Sequence, residues 1–246
     1  MNNLSKKTAG LVLAVSILIF SITAYVLFLW SSSRPTDRLD LMPGNITTMA
    51  LMKPRSDSAT SVEEALLNRR SARDYLDNAL TLQELSQLLW AVQGVTAPQG
   101  MRTAPSAGGL YPLEVYVALG NVEGLNPGIY KYVPSAHSIQ RVLDGDVRGE
   151  LAQASLGQRW VEKAAADIVI AAAYERTTAK YGERGVRYVH MEAGHATQNL
   201  CLQATALRLG VVTVGAFDDE RVSATLDLPQ NQKPLYVIPV GRIEKP

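Results

Sequence analysis

Ile129-Tyr130-Lys131-Tyr132-Val133-Pro134-Ser135-Ala136-His137-Ser138-Ile139-Gln140-Arg141-Val142-Leu143 holds two short runs rich in β-branched and aromatic residues around a Pro-Ser turn. That pattern predicts a hairpin, with strands over Ile129 to Val133 and Ile139 to Leu143. Upstream, Leu113 to Leu119 reads as another strand, and downstream Ala166 to Tyr174 reads as a buried one, because its apolar run does not alternate. Helices are interleaved with these strands. Ser61-Val62-Glu63-Glu64 and Thr81-Leu82-Gln83-Glu84 both have capping-box spacing, so helices open at each. The second places Leu82, Leu85, Leu88, Leu89 and Val92 on one face and stops at Gly94. Further helices are expected over Asp146 to Ser155, over Gly185 to Leu209 with Gly210 closing it, and near Asp218 to Leu226. Strands are expected over Val211 to Val214 and Leu235 to Val240. A hairpin set among alternating helices and strands fits the α+β class better than a doubly wound parallel sheet.

Outside this core the chain of 246 residues divides by composition. Ala9 to Trp30 carries no charge and, at about 1.5 Å per residue, is long enough to cross a hydrocarbon core of about 30 Å. It is expected to be a transmembrane helix anchoring residues 1–30. A cleaved secretory signal is the alternative, but its apolar region is shorter and ends at small residues, whereas Trp30 here precedes three serines. Lys6 and Lys7 face Arg34 and Arg38 across the run, so only the N-terminal amine tips the orientation toward N-in, C-out. Residues 31–60 contain Pro35, Pro43 and Pro54 with no sustained period and are expected to be a linker. Residues 61–246 form the globular domain.

Composition excludes several functions. Net charge is +1 with no basic stripe, which disfavours nucleic acid as a partner. The single cysteine, Cys201, allows no internal disulfide. His190 and His195 lie about 140° apart on a helix, unlike a zinc-binding i, i+4 pair, so no metal site is expected. There is neither a phosphate-binding G-x-x-x-x-G-K-[ST] loop nor a G-x-G-x-x-G turn. Two segments remain, a basic cluster and a glycine turn, and neither alone is decisive. Arg69-Arg70-Ser71-Ala72-Arg73 offers guanidinium forks and a hydroxyl for a phosphate, although a solvated helix end has the same pattern. Pro105-Ser106-Ala107-Gly108-Gly109-Leu110-Tyr111-Pro112 brings a glycine turn ahead of a strand, which an ordinary loop also does.

Six motifs in order resemble the nitroreductase superfamily, specifically the SagB/ThcOx-type dehydrogenases, over Ser61 to Arg242. They are the arginine segment, the P-S-A-G-G-L-Y-P turn, Lys180-Tyr181-Gly182-Glu183-Arg184, Glu192-Ala193-Gly194-His195 with Gln198-Asn199, Gly215-Ala216-Phe217-Asp218-Asp219, and Pro239-Val240-Gly241-Arg242. The resemblance implies a mixed sheet flanked by helices, and a homodimer that binds FMN between its subunits. It implies that Arg69, Ser71 and Arg73 hold the FMN phosphate together with Arg242, and that Arg70 lines the ribityl and pyrimidine side. Pro105, Ser106, Ala107 and Gly108 would approach the ring from the other subunit. Backbone N–H groups of Gly215 and Ala216 would face flavin N5. Gly109 and Tyr111 after the Pro-Ser pair favour the SagB branch, whereas Lys233 stands where that branch commonly has an acid.

Lys180 and Tyr181 are the candidate catalytic residues. They lie between a buried strand and a long helix, where connecting segments carry function, and the resemblance associates such a pair with taking a substrate proton as hydride leaves to FMN. An exposed charged turn is the alternative. Glu192, His195 and Asn199 share a helix face and are expected to form a satisfied polar network. The implied activity is azoline-to-azole oxidation of a peptide. An NAD(P)H-dependent nitro or quinone reductase and a flavin-binding accessory protein are the alternatives.

Overall fold

In the computed structural model residues 48–244 are described. The hairpin stands as expected: β3 (Gly128–Val133) passes through the short turn Pro134–Ala136 into β4 (Ser138–Asp144). His137 closes it in the left-handed conformation, φ 42°. β2 (Leu113–Leu119) pairs with β3 on one side and with β5 (Ala166–Ala172) on the other. Beyond β5 lie β7 (Lys233–Arg242) and then β6 (Leu209–Val211), while β1 (Thr48–Ala50) adds an edge on β4. The order is β1-β4-β3-β2-β5-β7-β6. Each of these strand pairs is antiparallel, so the mixed character expected of the sheet reduces, among the described residues, to the parallel single bridges Ser71–Val211 and Leu80–Val122.

Both faces of the sheet are covered, which is why β5 is buried at every position and shows no alternation. On one face α2 (Leu82–Gln93) and α6 (Arg184–Ala206) bury Leu85, Leu88, Leu89 and Val92 with Val189, Ala193, Ala196 and Leu200 against Val115, Val117, Ile168 and Ile170. On the other, α3 (Arg148–Ala154), α4 (Arg159–Lys163) and α7 (Asp219–Thr225) bring Leu151, Ala154, Val161 and Val222 onto Ala118, Val169, Ala171 and Val237. Each fully buried leucine contributes about 1.5–3 kcal/mol of burial. α1 (Val62–Asn68) is capped by Ser61, whose hydroxyl accepts from the Glu64 N–H, and α2 by a complete capping box between Thr81 and Glu84.

Several expectations change. Part of the expected linker packs on the domain: β1 pairs with β4, Leu51 is buried, and the Arg55 N–H donates to Gln87 Oε1 at 2.8 Å. A three-residue edge strand is too short to show a period. The segment that connects the buried strand to the long helix, expected as a loop carrying Lys180 and Tyr181, is largely α5 (Glu175–Tyr181), separated from α6 by Gly182 in a conformation of φ 56°, ψ −145°. α6 ends at Ala206, with left-handed Arg208 after it. Gly210 lies inside β6, where a Cβ would meet Ile243 at 2.3 Å and Ala72 at 2.8 Å. α4 carried too few residues to be seen. The anchor expected over Ala9 to Trp30 lies outside the described residues; among those described, no helix is long and apolar enough to cross a membrane.

Candidate functional site

The arginine segment leaves α1 in extended conformation and lies across the edge of the sheet. The Ala72 N–H donates to the Val211 carbonyl at 3.0 Å and the Leu76 N–H to that of Arg242 at 2.9 Å. Tyr75 anchors it: its hydroxyl lies 2.9 Å from the Ala72 carbonyl and 3.2 Å from that of Pro239. Its ring takes the space beside Gly241, where a Cβ would come within 2.9 Å of it. Arg73 lies over the Trp160 ring, 5.5 Å from its centre. Among the described residues neither Arg69 nor Arg73 forms an ion pair, so both guanidinium groups are available to an anion. Two other arginines are differently engaged. Arg70 turns back and donates to the Leu67 and Arg69 carbonyls, each at 2.9 Å, capping α1 rather than extending toward a ligand. Arg242, expected at the phosphate, instead spends its fork on Glu84, with both N···O distances 2.9 Å, and its Nε donates to the Ala79 carbonyl. Glu84 is the nearer anion, already fixed by the Thr81 cap, and a bidentate pair satisfies both groups.

Beside this segment, residues 211–214 run along β7: Val211, bridged to Ser71, lies opposite Val240 and Val214 opposite Val237, a step of about 10 Å at strand rise. Gly215 and Ala216 follow, both exposed. Gln158 Nε2 donates to the Ala216 carbonyl at 2.8 Å and fixes the peptide. A Cβ on Gly215 would meet nothing nearer than the Tyr236 ring at 4.0 Å, so a planar group can approach the backbone closely.

The glycine turn is bound by its own residues. The Tyr111 N–H donates to Ser106 Oγ at 2.9 Å and the Gly109 N–H to the Ser106 carbonyl at 3.1 Å. Gly108 and Gly109 both have positive φ, 64° and 66°, the region only glycine enters cheaply. Arg176 of α5 donates to the Tyr111 carbonyl at 3.1 Å and pairs with Glu114, which also binds Lys131 at 2.8 Å. These opposing cations hold the Glu114 carboxyl below the usual carboxylate range despite its burial. The two candidate catalytic residues converge on this turn. A Cβ on Gly108 would lie 2.7 Å from the Tyr181 hydroxyl and 3.1 Å from Lys180 Nζ. Tyr181 packs edge-to-face on Tyr188, with ring centres 5.2 Å apart.

Beneath the turn the expected Glu192–His195–Asn199 network is broken up. Glu192 is buried, Asn199 Nδ2 donates to the Thr103 carbonyl at 3.2 Å, and His195 is exposed. Glu192 joins a cluster that residue spacing did not disclose: Arg102 donates to Gln93 Oε1 at 2.8 Å and lies 4.5 Å from the centre of the Tyr111 ring. Burial pushes the Glu192 carboxyl up to about 7, against the opposing influence of the neighbouring Ser106, Arg102 and Gln93 side chains.

A single chain keeps its two halves apart. Leu113, next to the glycine turn, lies opposite Ala172 and that residue opposite Lys233; Leu119 lies opposite Ala166, then Val240, then Val211. The turn and the arginine segment are therefore at opposite ends of the strands, about 20 Å along and about 14 Å across the sheet.

The nitroreductase family model matches residues 66–242. A Methanocaldococcus jannaschii protein named as a nitroreductase is 49% identical over 195 residues, 79% of this chain and 97% of that protein. The Escherichia coli microcin B17-processing protein is 28% identical over 159 residues, 62% of this chain and 58% of that protein, so the match spans just over half its length. The crystal structure of a Ralstonia eutropha protein, also named as a nitroreductase, superposes with a TM-score of 0.71 at 27% identity, covering 84% of this chain and 96% of the other.

Proposed function

The chain belongs to the nitroreductase family and is an oxidoreductase, and from that premise we propose that it is an FMN-dependent, SagB-type dehydrogenase acting as a homodimer. A flavin fits the residues present: two guanidinium groups without an ion pair among the described residues, an exposed and sterically open Gly215–Ala216 backbone, and a glycine turn that faces the candidate proton-handling pair. Arg69, Ser71 and Arg73 would hold its phosphate, and Gly215 and Ala216 would approach its ring. The separation of the two halves within one chain supports a ring completed by Pro105 to Gly108 of a second subunit. When bound, the flavin supplies a two-electron acceptor for hydride.

The observation that carries the reading is the convergence of Lys180 Nζ and Tyr181 hydroxyl on Gly108. Either side chain, in its deprotonated form, would take the one proton that oxidation of an azoline to an azole releases beyond hydride, from a substrate seated over the turn. A peptide azoline is the proposed substrate class. A second reading, an NAD(P)H-dependent nitro or quinone reductase, is favoured by the name of the 49% identical relative. Stopped-flow measurement of both half-reactions separates them. In the dehydrogenase, Lys180→Ala with Tyr181→Phe slows azoline oxidation by about 10²- to 10⁴-fold with FMN still bound. In the reductase, water supplies the protons and the same variant stays near wild type. We propose further that Ala9 to Trp30 tethers the enzyme to a membrane, N-in and C-out.

A further inference from the structure

Glu192 is buried at 2% exposure on α6, and its Oε1 has no hydrogen-bond partner. Directly around it stand Gln93 from α2 and Arg102 and Ser106 from the segment leading into the turn; Tyr111, Glu114 of β2 and Arg176 of α5 act on Arg102 from beyond. Gln93 Oε1 already accepts from Arg102, leaving Gln93 Nε2 buried without an acceptor. Ser106 Oγ already accepts from the Tyr111 N–H, leaving its own O–H to give. An ionised Glu192 offers acceptors to both of these donors and a counter-charge to Arg102. A neutral Glu192 keeps only its carbonyl oxygen as an acceptor, turns the other oxygen into a donor and gives up the counter-charge to Arg102. Protonation therefore takes an acceptor from the Ser106 O–H or from Gln93 Nε2, and Ser106 is the residue whose Oγ shapes the turn.

We propose that Glu192 is a positioning residue for the glycine turn: its proton decides which hydrogen bonds hold Ser106 and Arg102, and through them where Gly108 stands against Lys180 and Tyr181. The ionised form is the one that supports the turn. The opposing effects of burial and of the three neighbours balance near neutrality, so the support changes near neutral pH. The inference rests on the reading of the turn as the flavin- and substrate-facing wall.

Infrared difference titration of the flavin-free protein tests the proton itself. Apart from any protonated-carboxyl band that buried Asp167 gives in both proteins, one such carbonyl band should be present in the wild type and absent from Glu192→Gln, and it should vanish as pH rises through about 7. In the flavin-loaded enzyme, substrate oxidation should fall severalfold from about pH 8 to about pH 6 in the wild type. Glu192→Gln, which places an amide donor where the neutral acid has its O–H, should stay at the low value across that range, and Glu192→Asp should restore a titration. A wild type without the infrared band, or a Glu192→Gln enzyme that keeps the wild-type pH profile, overturns the proposal. Failure to bind FMN would instead remove the functional reading, with the infrared titration still deciding for or against Glu192.

Discussion

Substituting alanine separately at Gly108 and Gly109 separates what the turn contributes to stability from what it contributes to chemistry. Their φ values are 64° and 66°, so each variant carries the same left-handed penalty, about 1–2 kcal/mol for a residue with a Cβ. Their surroundings differ. A Cβ on Gly109 meets nothing within 4 Å, whereas one on Gly108 meets the Tyr181 hydroxyl at 2.7 Å and Lys180 Nζ at 3.1 Å. Those two atoms are the ends of flexible side chains, so moving them forfeits the Tyr181–Tyr188 edge contact, about 0.5–1.5 kcal/mol, and the contact of Lys180 with the Tyr181 ring, about 0.5–1 kcal/mol. Denaturant unfolding should therefore place the two variants within about 2.5 kcal/mol of each other. Turnover should not follow. If Lys180 and Tyr181 take the substrate proton, displacing them removes a contribution of about 10²- to 10⁴-fold, and Gly108→Ala should lose at least about tenfold more than Gly109→Ala with FMN still bound. Equal turnover in the two variants would refute the assignment of the pair and the argument from their convergence.

Arg69→Ala should weaken FMN binding by about 10- to 100-fold, on the order of 1.5–3 kcal/mol, read by quenching of flavin fluorescence on titration; an unchanged affinity removes Arg69 from the phosphate. Arg242→Ala should do the reverse, leaving FMN affinity nearly intact while lowering stability by about 1–2 kcal/mol through loss of the Glu84 pair and its cap. A flavin loss matching that of Arg69→Ala would place the guanidinium back at the phosphate. Asp167 is fully buried with neither oxygen partnered, and burial raises its pKa well above the usual value. The folded state thus prefers its protonated form, and the stability this gives is lost as pH rises from the ordinary carboxylate range upward. Asp167→Asn should flatten that part of the stability profile, and an unaltered slope would exclude Asp167 as its source. The full-length chain should resist carbonate extraction from membranes and residues 48–246 should not, so extraction of both would remove the anchor.

The hairpin, the capped helices and the long strands were legible because each is written in neighbouring residues: Thr81 and Glu84 close their box three positions apart, and β5 keeps its apolar run unbroken over Ile168–Ala172. What escaped the sequence depends on partners distant along it. Arg242 looks like a phosphate ligand until Glu84 is found beside it. The region around Lys180 carries no apolar period, so α5 passes for a loop, yet its helical form is what turns both side chains onto Gly108. Spacing alone put Glu192, His195 and Asn199 on one stripe, but burial follows the overlying turn, which covers the first and leaves His195 exposed. The arginine segment and the glycine turn were each visible; that they stand at opposite ends of the sheet follows only from strand order.

That order has a consequence for biosynthesis. β7 is the last of the described strands to leave the ribosome, yet it lies between β5 and β6 and is the only strand neighbour of β6. Until Arg242 has been made, β5 has a bare apolar edge over Ile168–Ala172, the kind of template on which partly made chains associate. The segment Arg69–Arg73 also lacks its support, since Val211 has no strand to join and Leu76 no carbonyl of Arg242 to bind. The groups that would grip a phosphate come into place only with the closing strand, so on the proposed reading flavin capture would double as a check that synthesis has passed Arg242.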